Sequence, residues 1–190
     1  MQDVSAPSLQ KLRKVIREAF SYFDKLGNNT VPSDDIGSIM RYLGQFPSES
    51  DLKDIIIPEL QDDDPSRDGL VTFEAFEKVM LRNMMDRAYD PDDSETILAA
   101  FRVLDPEGRG YIDASVMQEH LSTRGGKAAD GFKGKEMDDF LGYARDKEGV
   151  DSGRIYYEDY VAKLNADIET HLEHLYQDAR GSGGDAARAN

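Results

Sequence analysis

Apolar residues recur along this chain in one repeated grouping. A helix-spaced apolar run leads into a polar turn, then one β-branched residue, then the apolar start of another helix. The grouping occurs in REAFSYFDKLGNNTVPSDDIGSIM, in LQDDDPSRDGLVTFEAFEKVM, in LAAFRVLDPEGRGYIDASVM and in LGYARDKEGVDSGRIYYEDYV. Its β-branched residues are Val31, Val71, Ile112 and Ile155, separated by 40, 41 and 43 residues, as expected of an internal repeat. The flanks read as helices: Leu9, Leu12, Ile16, Ala19, Phe20 and Phe23 lie on one helical face, and so do Ile97, Ala100, Phe101 and Leu104. Ser48 with Asp51, and Asp92 with Glu95, have the spacing of capping boxes and predict helix starts.

One helix–turn–helix unit cannot bury its apolar face alone, but two can if their turns pair as a short antiparallel ribbon. The β-branched residues are the natural pairing points, Val31 with Val71 and Ile112 with Ile155. The expected fold is therefore all-α, with four helix–loop–helix units in two lobes. The predicted boundaries are residues 1–86 for the first lobe, 87–93 for a linker marked by Pro91, and 94–165 for the second lobe. Residues 166–177 are expected to extend the last helix. The small, polar, glycine-rich stretch at 178–190 is expected to be disordered.

The repeat resembles the EF-hand family, its calmodulin-like branch in particular, as far as about Ala166; AAFRVLD followed by GRGYI carries the likeness best. An EF-hand loop takes calcium ligands from positions one, three, five, seven, nine and twelve, with glycine at six and a bidentate glutamate at twelve. In the first loop Asp24, Asn28 and Asp35 fit positions one, five and twelve, but Leu26 and Pro32 stand at three and nine, and Asp35 is a methylene short. Asn29 replaces the glycine, which its tolerance of left-handed geometry allows. In the second loop Asp64, Ser66, Asp68, Gly69 and Thr72 fit, but Ala75 stands at twelve. In the third, Asp105, Glu107 and Asp113 surround Gly110, yet Arg109 puts a cation at position five and Val116 removes the clamp. The fourth, counted back from Ile155, runs from Glu148 to Asp159 with Val150 at three, Ser152 at five and Gly153 at six; a start at Asp146 needs inserted residues. A micromolar site corresponds to roughly 8 kcal/mol, so losing two ligand positions weakens binding by about a hundredfold. No cofactor is expected, with weak calcium or magnesium binding left to Asp24, Asn28, Asp35, Asp64, Ser66 and Asp68.

Composition narrows the function. Of 190 residues, 39% are hydrophobic and 32% charged, enough for a core under a heavily solvated surface. The net charge of −15 disfavours nucleic acid and anionic membranes and favours basic partners. No cysteine is present, so thiolate chemistry and disulfides are excluded. The absence of a basic-then-apolar N-terminal segment and of a long apolar run predicts an intracellular, non-membrane chain, in which the sequon Asn28-Asn29-Thr30 carries no weight. No phosphate loop, nucleophile elbow or zinc motif is found, so an enzyme is not expected.

An open EF-hand lobe grips an amphipathic helix in an apolar groove. Met40, Met80, Met84, Met85, Met117 and Met137 are candidates for such a surface, with ordinary core packing as the competing reading. Leu164, Ile168, Leu172 and Leu175 continue a helical stripe beyond the fourth repeat, suited to dock on a partner or fold back into a groove. His171 and His174 on that stripe are read as surface residues.

The first repeat adds detail. Its NNTV, IGSIMRYLG and PSESDL resemble the EF-hand subunit of the nexin–dynein regulatory complex of motile cilia, and FEKVM, FRVLD, GRGYI and IYYEDYV are compatible with it. That resemblance implies a non-catalytic cytoskeletal subunit on the axonemal doublet microtubules. It would bind helical or coiled-coil segments of its complex and help regulate ciliary motility. A myosin light chain-like helix binder and a calcium or magnesium sensor are the alternatives.

Overall fold

The computed structural model describes residues 9–61, 69–122, 132, 134–145 and 153–181, with side chains of the last helix described to Tyr176. The chain divides into two compact units: residues up to Pro91 together with those from Ile168 onward, and Asp92–Asp167. Each unit is mostly helical and contains one two-stranded antiparallel sheet.

In the first unit, α1 (Leu9–Phe23) buries Val15, Ile16, Ala19 and Phe20. Strand β1 (Thr30–Pro32) pairs antiparallel with β2 (Leu70–Thr72), and Val31 lies opposite Val71 as the repeat predicts. Both valines are fully buried. Two further bonds tie the ribbon to its flanks, Ser33 N to Gly69 O at 2.8 Å and Phe73 N to Asn29 O at 3.0 Å. Helix α2 (Ile36–Tyr42) follows a 3-10 turn at Ser33–Asp35. Helix α3 (Glu49–Asp51) opens on the predicted capping box, in which Ser48 and Asp51 each accept from the other's backbone N–H. A wide π turn over Leu52–Ile56 leads into α4 (Ile57–Gln61). Helix α5 (Phe73–Asp86) is capped by Thr72 and ends at Arg87, which takes left-handed geometry at φ 53°. Phe20 anchors the interior, its ring 5.3 Å from Phe73 and 5.4 Å from Phe76. Burying side chains of this size contributes about 1.5–3 kcal/mol each.

In the second unit, α6 (Ser94–Leu104) lays Leu98, Phe101 and Leu104 half-buried against a core of Ile112, Met117, Met137, Leu141 and Ile155. Strands β3 (Tyr111–Asp113) and β4 (Arg154–Tyr156) place Ile112 opposite Ile155, again the predicted pair. Helices α7 (Ala114–Ser122) and α8 (Lys135–Ala144) complete the unit with the first part of α9 (Tyr157–Gly181). Phe101 stacks on Tyr157 at 5.7 Å, and Asn165 bonds Ser94.

Two boundaries differ from the sequence reading. The cap of α6 is Asp93, not Asp92: its carboxylate accepts from Thr96 N at 2.8 Å, while Glu95 pairs with Arg102 instead of reaching back. Helix α9 continues to Gly181, past the predicted end at residue 177; Ala179 and Arg180 are good helix formers. The rest of the expected tail, residues 182–190, lies outside the described residues.

Candidate functional site

The third loop is built around Asp105, which follows the last turn of α6. The residue is buried, 3% exposed. It accepts from Gly110 N at 2.8 Å, Tyr157 Oη at 3.2 Å and Arg109 Nε at 3.4 Å. Burial alone would raise the carboxyl's pKa; these donors outweigh it and hold it below its ordinary value. Gly108 and Gly110, both at positive φ, turn the backbone so that residue 109 faces back into the loop.

The Arg109 guanidinium then lies among three carboxylates. It stands 3.4 Å from Asp105, 3.8 Å from Glu107 and 3.7 Å from Asp113. The carboxylates expected at ligand positions one, three and nine all lie within 4.0 Å of a cation supplied by the chain itself. Tyr111 lies under two cations, Arg109 at 4.9 Å and Arg154 at 4.3 Å from the ring centre, and Arg154 also reaches Asp113 at 3.9 Å.

The first loop spends its oxygens differently. Asp24 accepts from the backbone of Asn28 at 3.3 Å and Asn29 at 2.8 Å, and Asn28 Oδ1 accepts from Thr30 N and Oγ1 at 3.1 and 2.7 Å. Asn29 holds φ 59°, the left-handed conformation expected where glycine is missing. Leu26 is 83% exposed. Asp35 is half-buried at the end of the 3-10 turn. The second-loop candidates Asp64, Ser66 and Asp68 lie outside the described residues, as do Glu148, Val150 and Ser152 of the fourth. Among the described residues no group of three or more His, Cys, Asp or Glu side chains gathers as a metal site, and no helix is long and apolar enough to cross a membrane.

The methionine surface requires correction. Met40 and Met80 are buried in the core of the first unit, and Met117 and Met137 in that of the second. Met84 is partly buried against the first core, and only Met85 is largely exposed. Helical spacing places a methionine on an apolar face but cannot tell whether the unit has closed over that face. Leu164 is half-buried in the second unit.

The remaining stripe residues lead to a site that sequence reasoning did not locate. Helix α2 ends in a Schellman motif: Gly44 N bonds Arg41 O, Gln45 N bonds Met40 O, and Gly44 takes φ 81°. The bare glycine forms a seat for Leu172 of α9; a Cβ at Gly44 would lie 2.5 Å from Leu172 Cδ2. His171 Nε2 donates to Tyr42 O at 2.7 Å, one of the carbonyls the helix end leaves unpaired, and its ring meets Tyr42 edge-on at 5.1 Å. Leu175 and Tyr176 pack on the first core, and Ile168 is half-buried. Burial, then the Asp90 carboxylate, pushes the Tyr176 phenol up to about 12. The fold-back option is thus the one this structure adopts for residues from Ile168 onward. The YLG in IGSIMRYLG marks the helix stop, but nothing in that motif identifies the segment that comes to rest there.

No protein-family model matches the chain. It is 36% identical over 159 residues to dynein regulatory complex protein 8 of Mus musculus, a match covering 84% of this chain and 91% of that protein. It is 36% identical over 116 residues to dynein regulatory complex protein 8 of Homo sapiens, covering 61% of this chain and 42% of that longer protein. Among solved structures, the Physarum polycephalum myosin II regulatory domain superposes with a TM-score of 0.59 at 23% identity, over 84% of this chain and 95% of that one. That likeness is one of fold.

Proposed function

The chain belongs to the dynein regulatory complex protein 8 family, and from that premise we propose that it is a non-catalytic, calmodulin-like adaptor subunit of the nexin–dynein regulatory complex. In this reading it resides on axonemal doublets of motile cilia or flagella and holds helical segments of partner subunits. Four EF-hand units in two lobes serve as the frame, each ribbon joining two hands. The frame is largely insensitive to calcium. The observation that carries this last point is the Arg109 guanidinium among Asp105, Glu107 and Asp113, a permanent charge where a transient ion would sit.

Cross-linking in isolated axonemes, followed by identification of the linked peptides, tests the assignment. Links to coiled-coil or helical subunits of the regulatory complex are expected; a protein absent from axonemes would overturn it. The myosin regulatory domain fold supports a second reading, a light chain-like clamp on a basic helix. Recovery of a myosin heavy-chain segment in the same experiment would favour that one.

A further inference from the structure

In the second unit a cavity of about 300 Å³ opens between the end of α8, strand β4 and the start of α9. Its walls are aromatic. Tyr143, from the last turn of α8, and Tyr160, from the first turn of α9, meet edge-on at 5.9 Å and 82°, and Tyr156 of β4 joins them in the lining. Tyr143 is fixed from two sides. Its hydroxyl donates to Asp167 at 2.5 Å, and Lys163 Nζ donates to its carbonyl at 3.4 Å while lying 3.7 Å from its ring centre. The space is at the small end of ligand pockets. It suits a side chain and not a whole helix, which is about 10–12 Å across.

The charged groups of the lining are Arg145, Lys163 and Asp159. Arg145 Nε is buried and has no hydrogen-bond partner among the described residues. A buried donor on a charged group is costly to leave without an acceptor, so this position favours an acceptor brought from outside. Lys163 adds a second cation, against the single carboxylate of Asp159, which is exposed. At the edge of the cavity Arg154 lies two residues before Tyr156, on the same face of β4. It stands over Tyr111 at 4.3 Å, whose ring is 5.8 Å from that of Tyr156, and its contact with Asp113 is long at 3.9 Å. In a chain of net charge −15 this is a local reversal of sign. Aromatic faces by themselves attract cations, but Lys163 already lies over Tyr143 and Arg154 over Tyr111. The group the cavity lacks is an anion.

We propose that this cavity is a carboxylate site and that it takes the glutamate side chain of an acidic segment of a partner protein. The carboxylate meets Arg145 and Lys163, and the two methylenes lie against Tyr143, Tyr156 and Tyr160. A guanidinium edge made of Nε and one Nη meets a carboxylate with two parallel hydrogen bonds, which would satisfy the buried Nε. The proposal rests on the adaptor reading above. It adds a site on the second unit and a partner chemistry, acidic, that the chain's overall charge does not suggest.

The test titrates the full chain, labelled with nitrogen-15, with a blocked alternating alanine–glutamate peptide and with its alanine–glutamine counterpart. Amide shifts in the nuclear magnetic resonance spectrum report both place and affinity. The glutamate peptide is expected to move the amides of residues 143–145, 156 and 159–163, and the glutamine peptide to bind at least about tenfold more weakly. Arg145→Gln should weaken the glutamate peptide by about tenfold. Arg145→Lys, which keeps the charge and loses the fork, should weaken it by less. Lys163→Gln should also weaken it, and amides remote from the cavity, unchanged in each variant, verify the fold. Equal binding of the two peptides overturns the carboxylate site. So does binding of the glutamate peptide that is the same in Arg145→Gln, Lys163→Gln and the unmodified chain, since the peptide then sits elsewhere. Absence of shifts at the cavity also overturns it and leaves the adaptor reading standing, because cross-linking in axonemes tests that reading independently.

Discussion

If Arg109 is the third loop's built-in cation, replacing it should be the step that lets calcium in. The loop's own oxygens comprise three carboxylates, those of Asp105, Glu107 and Asp113, and the carbonyl of residue 111 at position seven. That is about four of the six to eight oxygens calcium takes. Arg109→Asn adds one at position five, and Val116→Glu adds a bidentate pair at twelve, bringing the set to about seven. A complete loop of this kind binds at about 10⁻⁷ to 10⁻⁵ M. Taking the weak end for a grafted site, the double variant should bind calcium near 10⁻⁵ M. Val116→Glu alone should be at least about tenfold weaker, because the guanidinium still holds the three carboxylates and must first be expelled. The unmodified third loop, short of a ligand at five and of both clamp oxygens, should be weaker than the double variant by about a hundredfold or more. Calorimetry at physiological magnesium reads all three proteins, each also bearing Asp24→Ala and Asp64→Ala to silence the first two loops. The reasoning fails if Val116→Glu alone binds as tightly as the double variant, since Arg109 would then be a bystander. It fails equally if the protein with an unmodified third loop binds calcium at micromolar concentrations.

Other expectations follow from particular contacts. Gly44→Val forces a β-branched residue to φ 81° and into Leu172; strain of about 1–3 kcal/mol should lower the melting temperature by several degrees and raise amide exchange in residues 168–176. Ile155→Ala empties a fully buried ribbon position and should cost about 2–5 kcal/mol, against about 0.5–1.5 for Ile155→Val, read by urea unfolding. Arg82 lies 2.5 and 2.7 Å from the two oxygens of Glu59, and this hydrogen bonding, only partly opposed by burial, holds the carboxyl below its ordinary value. Its stabilisation is present above the unfolded-state pKa of about 4.3 and is lost as pH falls through the lowered folded value, so Glu59→Gln should flatten stability against pH in that acid range, by a small amount for so exposed a pair.

The ribbons were legible because pairing two polar turns leaves few choices: one aliphatic β-branched residue per strand must be buried, and this fixes the register of Val31 with Val71 and Ile112 with Ile155. The capping box at Ser48 was legible for the same local reason, whereas Asp92 and Asp93 offer the same side chain at adjacent positions and only the helix start decides between them. The π turn at Leu52–Ile56 has its cause in Pro58. Pro58 lacks the N–H that would bond Asp54 and crowds its carbonyl, so the helix widens just before it. The emptied ligand positions were visible as substitutions, but the convergence of three carboxylates on Arg109 required coordinates. The seat of α9 was invisible for a different reason. Gly44 and Leu172 are 128 residues apart, and an apolar stripe specifies that it will be covered without specifying by what.

A tethered guanidinium and a bound ion differ in one physical respect that bears on function. Calcium occupancy follows its concentration, so a loop that depends on it opens and closes with the cell's signals. Arginine is always charged and cannot dissociate, so on the proposed reading the loop geometry around Asp105 is constant. A constant frame suits a subunit that must stay engaged while calcium changes around it, but it also removes the usual switch by which such lobes select partners. Elsewhere, Leu172 sits on Gly44 and His171 on Tyr42, contacts that no ion controls.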